Sequence, residues 1–277
     1  KGNFDVDGFQ HAAEVIAVGQ NILNQSSGYP IRSVAQISPE LNNIGLGYAN
    51  IGAVLMRKGV PYDSEEGRQF TASITALLTG TAYQVSANLA ENIGTFEHFE
   101  FNKNPMMDVI AKHKKSLDDI VWDFVPENIK EAVYSSWDVA ETKGSNTGFR
   151  NSQVSVLAPT GTIAYMMGCE TTGGEPYIAF SIKKDLAGGG SLNLDANREI
   201  PTGLRNLGYN DEEIVRISEH IADNGATLGS EDLKPEHHKV FETALGNENG
   251  DGSMPFLGHV KMLGAMQPFI SGAISKT

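Results

Sequence analysis

Through residues 1–145 the apolar positions recur mainly at helical spacing. In "FDVDGFQHAAEVIAVGQNILNQ", Phe9, Ala12, Ala13, Ile16 and Leu23 share one face at a 3.6-residue period, which predicts an amphipathic helix. "SSGYP" interrupts it with Gly28 and Pro30. A second helix is predicted through "LNNIGLGYANIGAVLMRKG", stopping at Gly59, Val60 and Pro61. Ser64 is placed to cap a third, with Glu65 and Glu66 in its electropositive first turn. That helix continues through "FTASITALLTGTAYQVSANLAENIG", whose many small residues predict close packing rather than a solvated face. "NPMMDVIAKHKKSLDDI" and "PENIKEAVYSSWDVAETKG" predict two more helices, each with a proline in its first turn.

The texture then changes. "NSQVSVLA" alternates into an apolar run and predicts a strand. "KKDLAGGGSLNL" reads as a glycine turn leading into a short strand. "NDEEIVRISEHIADNG" predicts a helix capped by Asn210, with Glu213 at the capping-box position and Gly225 just past its end. "KPEHHKVFETALG" predicts a further helix with Pro235 near its start, and "GHVKMLGAMQPFI" is the last apolar segment. Helices outnumber strands and alternate with them in the second half. That points to an α/β fold with a mainly parallel sheet or barrel. With no repeat or low-complexity linker, residues 1–277 read as one partial domain, helical over 1–145 and strand-loop-helix over 146–277.

Composition narrows the function classes. The net charge of -13, from 21 basic and 34 acidic residues, argues against a nucleic-acid or anionic-membrane partner. No apolar run is long enough to span a bilayer. The single cysteine, Cys169, excludes an internal disulfide and a four-thiolate zinc site. In "PEHHKVFE", Glu236, His237, His238 and Glu242 crowd together, but adjacent helical histidines point about 100° apart, so no metal is expected. The start at Lys1 and the end at "SGAISKT" both suggest an internal piece of a longer chain.

Two glycine-bearing stretches compete for chemistry. "GLGYANIG" departs from the dinucleotide fingerprint GxGxxG, because Asn50 stands where the third glycine belongs and "SPELNN" before it is too polar for a strand. Tight helix packing through Gly45, Gly47 and Gly52 is the preferred reading. In "VLAPTGTIAYMMG", a strand ends, Pro159 stops the ladder, and Gly161 permits close backbone approach. If a helix begins near Ile163, the amides of residues 160–163 and the hydroxyls of Thr160 and Thr162 suit a phosphate. A plain capped turn fits the spacing too. Cys169 reads as a small buried hydrophobe, and nothing in the sequence makes Glu175 catalytic.

"RNSQVSVLAPTGTIAYMMGCETTGGEP", with "KKDLAGGG", "LKPEHHKVFETA" and "QPFISGAISKT" after it and "NNIGLGYANIGAVLMRKGVPYDSEEGR" before it, resembles the catalytic subunit of ribonucleotide reductases, most closely the adenosylcobalamin-dependent class II type. The resemblance implies a ten-stranded α/β barrel, of which this chain is the later part, and reduction of a ribonucleotide by a thiyl radical. It implies that Pro159, Thr160, Gly161, Thr162 and Ile163 bind the substrate phosphate, while Asn151 matches a position whose role stays open. It also implies adenosylcobalamin as cofactor, a ribonucleotide and the reductase's N-terminal segment as partners, and the cytoplasm as location; a homodimer is compatible. The family's radical cysteine and redox cysteine pair have no counterpart here, so no residue of this chain is expected to be catalytic and the chain alone is expected to be inactive. A class I-type large subunit and a non-catalytic nucleotide-binding or assembly module remain the alternatives.

Overall fold

The computed structural model describes residues 3–185, 191–195 and 198–276. Helix α1 (Val6–Ser26) is capped by Asp5, whose carboxylate accepts from Gly8 N at 2.9 Å. It buries Val6, Ala13, Ala17 and Asn21, leaving Ala12, Ile16 and Leu23 exposed. The buried stripe is therefore rotated from the expected one. Small Ala13 and Ala17 lie on the buried face, where they allow the backbones to approach, and Val15, Ile16, Ile22 and Leu23 are left outside.

α2 (Arg32–Leu41) occupies a stretch where no helix was expected, with Pro39 inside it. The long helix predicted through residues 41–58 is not formed. Residues 44–46 are extended, and only α3 (Ile51–Lys58) is helical. The preference of Asn42 and Asn50 for left-handed backbone, at φ 49° and 74°, breaks the helical path on both sides of the extended segment.

α4 (Glu65–Ile93) follows the sequence reading from cap to end. Ser64 Oγ accepts from Gly67 N at 2.9 Å, and residues on every side of the helix are buried. It is the central rod of the larger core, packed by α1, α6 (Glu127–Thr147) and α10 (Phe256–Met266), while α5 (Phe99–Lys115) lies mainly against α6. Pro105 falls inside α5 rather than in its first turn. The carbonyl it leaves unpaired belongs to Phe101, which is 92% exposed, so water can satisfy it. Pro126 does stand at the start of α6.

Beyond residue 150 come α7 (Gly161–Met166), the strands β1 (Ser181–Asp185) and β2 (Ser191–Asp195), α8 (Ile200–Asn206) and α9 (Asp211–Asn224). β1 and β2 pair antiparallel with Ser181 opposite Asp195. The glycine turn expected between them lies outside the described residues. α9 carries the full capping box of Asn210 and Glu213 and ends at left-handed Gly225, as its sequence predicts. The expected helix at "KPEHHKVFETALG" is a 3-10 helix over Pro235–Phe241 instead, after which Thr243 turns extended and bridges Ser253. α8, α9 and this turn enclose a second, smaller core around Leu204, Ile217 and Phe241.

The expected strand at 151–158 is extended and lies between two others. Ser155 bridges Leu46 and Leu157 bridges Ile274, both parallel. Ile44 N donates to Gln153 O at 3.0 Å and Val156 N to Leu46 O at 3.0 Å. On the other side, Leu157 N donates to Ala273 O and Ser275 N to Leu157 O, each at 2.9 Å. Three short parallel segments, 44–46, 153–157 and 272–275, thus form a strip against the helical core.

Candidate phosphate turn at a parallel strand edge

Because the three segments run parallel, their carboxyl ends share one edge of the strip. In parallel α/β architectures that edge is where ligands bind. Three pieces of chain leave it: Gly47–Asn50 into α3, Pro159–Ile163 into α7, and Lys276. The two glycine motifs that the sequence presented as rivals are neighbours here.

Thr160 is the N-terminal flanking residue of α7 and sits in left-handed backbone, φ 52° and ψ 38°. For a β-branched residue this is a costly conformation, of the kind held in place only by its surroundings. Its hydroxyl does not cap α7. Instead Thr160 Oγ1 accepts from Gly173 N at 2.8 Å. The first hydrogen bond within the helix runs from Ala164 N to Thr160 O at 2.9 Å, so the amides of Gly161, Thr162 and Ile163 precede the internal ladder. Gly161, Thr162 and Ile163 are exposed, and Pro159 and Thr160 are half-buried. All five expected phosphate-site residues therefore lie together on one turn.

Gly161 stands apart from the other glycines near the strip. A Cβ on Gly45 would lie 2.9 Å from Val156 Cγ2, one on Gly47 2.5 Å from Val156 O, and one on Gly52 2.6 Å from Glu175 O. These glycines do pack tightly, but Gly45 and Gly47 do so from extended chain, not from a helix. A Cβ on Gly161 would meet nothing within 4 Å. Nothing among the described residues requires glycine there.

The segment "GCETTGGEP" passes behind the turn and is fixed from several directions. Asn50 Oδ1 accepts from Glu170 N at 2.9 Å and Thr171 N at 3.0 Å, while Asn50 N donates to Thr171 O at 3.1 Å. Tyr62 OH donates to Gly174 O at 2.6 Å. Glu170, its side chain 5% exposed, takes Arg198 Nε at 2.6 Å and also accepts from the Tyr177 hydroxyl. Burial, reinforced by the hydrogen bond to Glu170, pushes the Tyr177 phenol far above its ordinary range. Glu175 is buried and pairs with Lys276 Nζ at 2.5 Å.

Asn50 is the residue the sequence reading undervalued. It breaks the glycine fingerprint, yet Asn is also a non-glycine residue that tolerates left-handed backbone. Its placement in "YANIG" was the available signal. Asn50→Ala is expected to destabilise by about 2 kcal/mol, because two backbone donors lose their acceptor and alanine strains at this φ. Asn50→Asp should keep most of the stability. Urea unfolding of the two variants checks this, and equal losses would refute it.

Cys169 is half-buried rather than buried, and burial pushes its thiol up against the weaker opposing influence of Arg198. That is the reverse of an activated nucleophile. His237 and His238 turn to separate partners: His237 Nδ1 lies 2.7 Å from Tyr209 OH, and His238 Nδ1 lies 2.9 Å from Thr227 Oγ1. Asn151 is fully buried at the opposite end of the central segment. Its Nδ2 donates to Asn42 O at 2.9 Å, and Asn42 Nδ2 donates to Asn21 Oδ1 at 2.9 Å, tying the segment's start to α1 and α2.

Residues 1–277 match throughout the family described as ribonucleotide reductase, barrel domain. The chain belongs to that family. It is 42% identical over 276 residues to the vitamin B12-dependent ribonucleotide reductase of Rhodopirellula baltica, covering all of this chain and 26% of the relative. It is 40% identical over 280 residues to the protein of the same name from Streptomyces coelicolor, covering all of this chain and 28% of that one. A vitamin B12-dependent ribonucleoside-diphosphate reductase of Mycobacterium tuberculosis is 24% identical over 277 residues, with 32% of its length covered. The chain thus spans between about a quarter and a third of these reductases' length. Within this reductase-barrel segment, no helix among the described residues is long and apolar enough to cross a membrane.

Proposed function

We propose that this chain is the later part of the catalytic barrel of an adenosylcobalamin-dependent ribonucleotide reductase, and that Pro159, Thr160, Gly161, Thr162 and Ile163 hold the substrate's phosphate. The strip of segments 44–46, 153–157 and 272–275 is then a portion of a ten-stranded barrel, with the turn at its mouth. The observation that carries the reading is Gly161: a glycine with open space around it, at a strand's carboxyl edge, followed by amides that precede the helical ladder. A bare backbone there serves something outside the chain, and a phosphate oxygen accepts from such amides. Exposed Ile163, Met166 and Met167 supply an apolar surface beside it for the nucleoside.

The chemistry of the family requires one cysteine as a thiyl radical and two as reductants. Cys169, the one cysteine present, has its thiol pushed up, so the reading assigns those thiols to the rest of the reductase. Adenosylcobalamin supplies the radical when bound to such an enzyme. The described residues do not fit a corrinoid, which needs a broad apolar wall with hydrogen-bonding partners at its rim. Cavities of about 490 and 750 Å³ open beside α1 and beside the 245–249 loop, and neither includes a residue of the turn. The chain's own work is to bind the nucleotide and fix its phosphate end.

Gly161→Val is expected to abolish binding of CDP and CTP in calorimetric titration while shifting unfolding by no more than about 0.5 kcal/mol. Unchanged affinity would reduce the turn to a connection. Deoxynucleotide formation by the 277 residues alone would refute the assignment of the reacting thiols elsewhere.

A further inference from the structure

The ion pair between buried Glu175 and more exposed Lys276 closes a ring of contacts around the turn. From the central segment the chain enters 159–163. Thr160 Oγ1 takes Gly173 N, and two residues on Glu175 takes Lys276. Lys276 directly follows Ser275, whose N donates at 2.9 Å to Leu157 O, just before the turn. Every link of the ring is a hydrogen bond, an ion pair or one to three residues of chain. The strained backbone of Thr160 lies inside it.

A buried ion pair is seldom a strong stabiliser, because desolvating both charges offsets most of their attraction. The Glu175 side chain is 6% exposed and that of Lys276 is 30% exposed, so the desolvation cost falls mainly on the carboxylate. What a pair at 2.5 Å between two separate chain segments supplies is a fixed distance. Here it couples the last strand of the strip to the segment that holds Thr160.

We propose that Glu175 and Lys276 are a positioning pair that sets the phosphate turn relative to the strip and thereby governs affinity for the nucleotide's phosphate end. This rests on the reading of residues 159–163 as the phosphate turn. Neither side chain is asked to touch the reacting atoms.

The test uses the full 277-residue chain, with CDP and CTP as calorimetric probes and thermal unfolding measured in parallel. E175Q and K276M should each raise Kd roughly tenfold, in line with loss of a charge-assisted contact. Each single change also takes this partner from the remaining charge and should lower the thermal midpoint. The neutral double variant E175Q/K276M removes that penalty, so its midpoint should recover while its affinity does not. K276R should bind as the unsubstituted chain does. An affinity that returns with the midpoint in the double variant would make the pair merely structural and overturn the proposal. So would unchanged Kd in both single variants, even with Gly161→Val abolishing binding, and that result would leave the phosphate turn standing. No binding by the unsubstituted chain would overturn both readings.

Discussion

Trp137→Ala is expected to cost about 3–5 kcal/mol. The indole is fully buried on α6 where it meets α4. Its Nε1 donates to Ala76 O at 3.0 Å, and its ring stacks at a tilt on His113, with centroids 5.6 Å apart. Gly80 makes the room: a Cβ there would lie 2.8 Å from Trp137 Nε1 and 2.4 Å from Ser136 Oγ. Alanine at 137 therefore removes a large apolar body and an indole hydrogen bond while leaving a slot on both helices. Collapse into that slot is hindered because α4 is held on its other sides by α1 and α10. Denaturant titration should show a lower midpoint with a similar slope. A loss under about 1 kcal/mol would mean that the interface repacks freely.

Gly52→Ala should cost about 3 kcal/mol, at the upper end for overpacking, and should also weaken nucleotide binding. The added Cβ would meet backbone rather than a movable side chain: Glu175 O at 2.6 Å and Pro176 Cα at 2.9 Å. Either α3 retreats or the "GGEP" segment shifts, and that segment is bonded to Thr160 through Gly173. Gly161→Val and Gly52→Ala are thus expected to separate. The first affects binding with little change in stability, and the second affects both. A Gly52→Ala chain that unfolds normally but fails to bind would show that the segment yields before the helix does.

The long helices were legible where local chemistry and packing agreed. Ser64 and Asn210 announce their helices because their side-chain oxygens satisfy amides within three residues, a purely local bond. The face of α1 was not legible. Apolar residues stand on both flanks of its buried stripe, and the choice between them depends on how closely α4 approaches. Residues 44–46 were misread because an apolar, glycine-punctuated run fits a helix or a short buried strand equally well by periodicity. Only a partner distant in sequence decides between them. The same holds for the candidate site. Its turn was visible as a strand end with proline, threonine and glycine, but Asn50, Tyr62 and Lys276 reach it from other parts of the chain.

The middle segment of the strip joins ends that are far apart along the chain. Ser152 reaches back 109 residues to Asn43, and Val154 reaches forward 117 residues to Ser271. Contacts of such separation carry a high loop-closure cost and form slowly. The helical core around α4 can assemble from nearer contacts, but the turn that follows residue 157 acquires its final shape only once both outer segments have arrived. In a chain made from one end to the other, the 159–163 turn is translated well before the last segment that sets it. It is therefore among the last parts to become native.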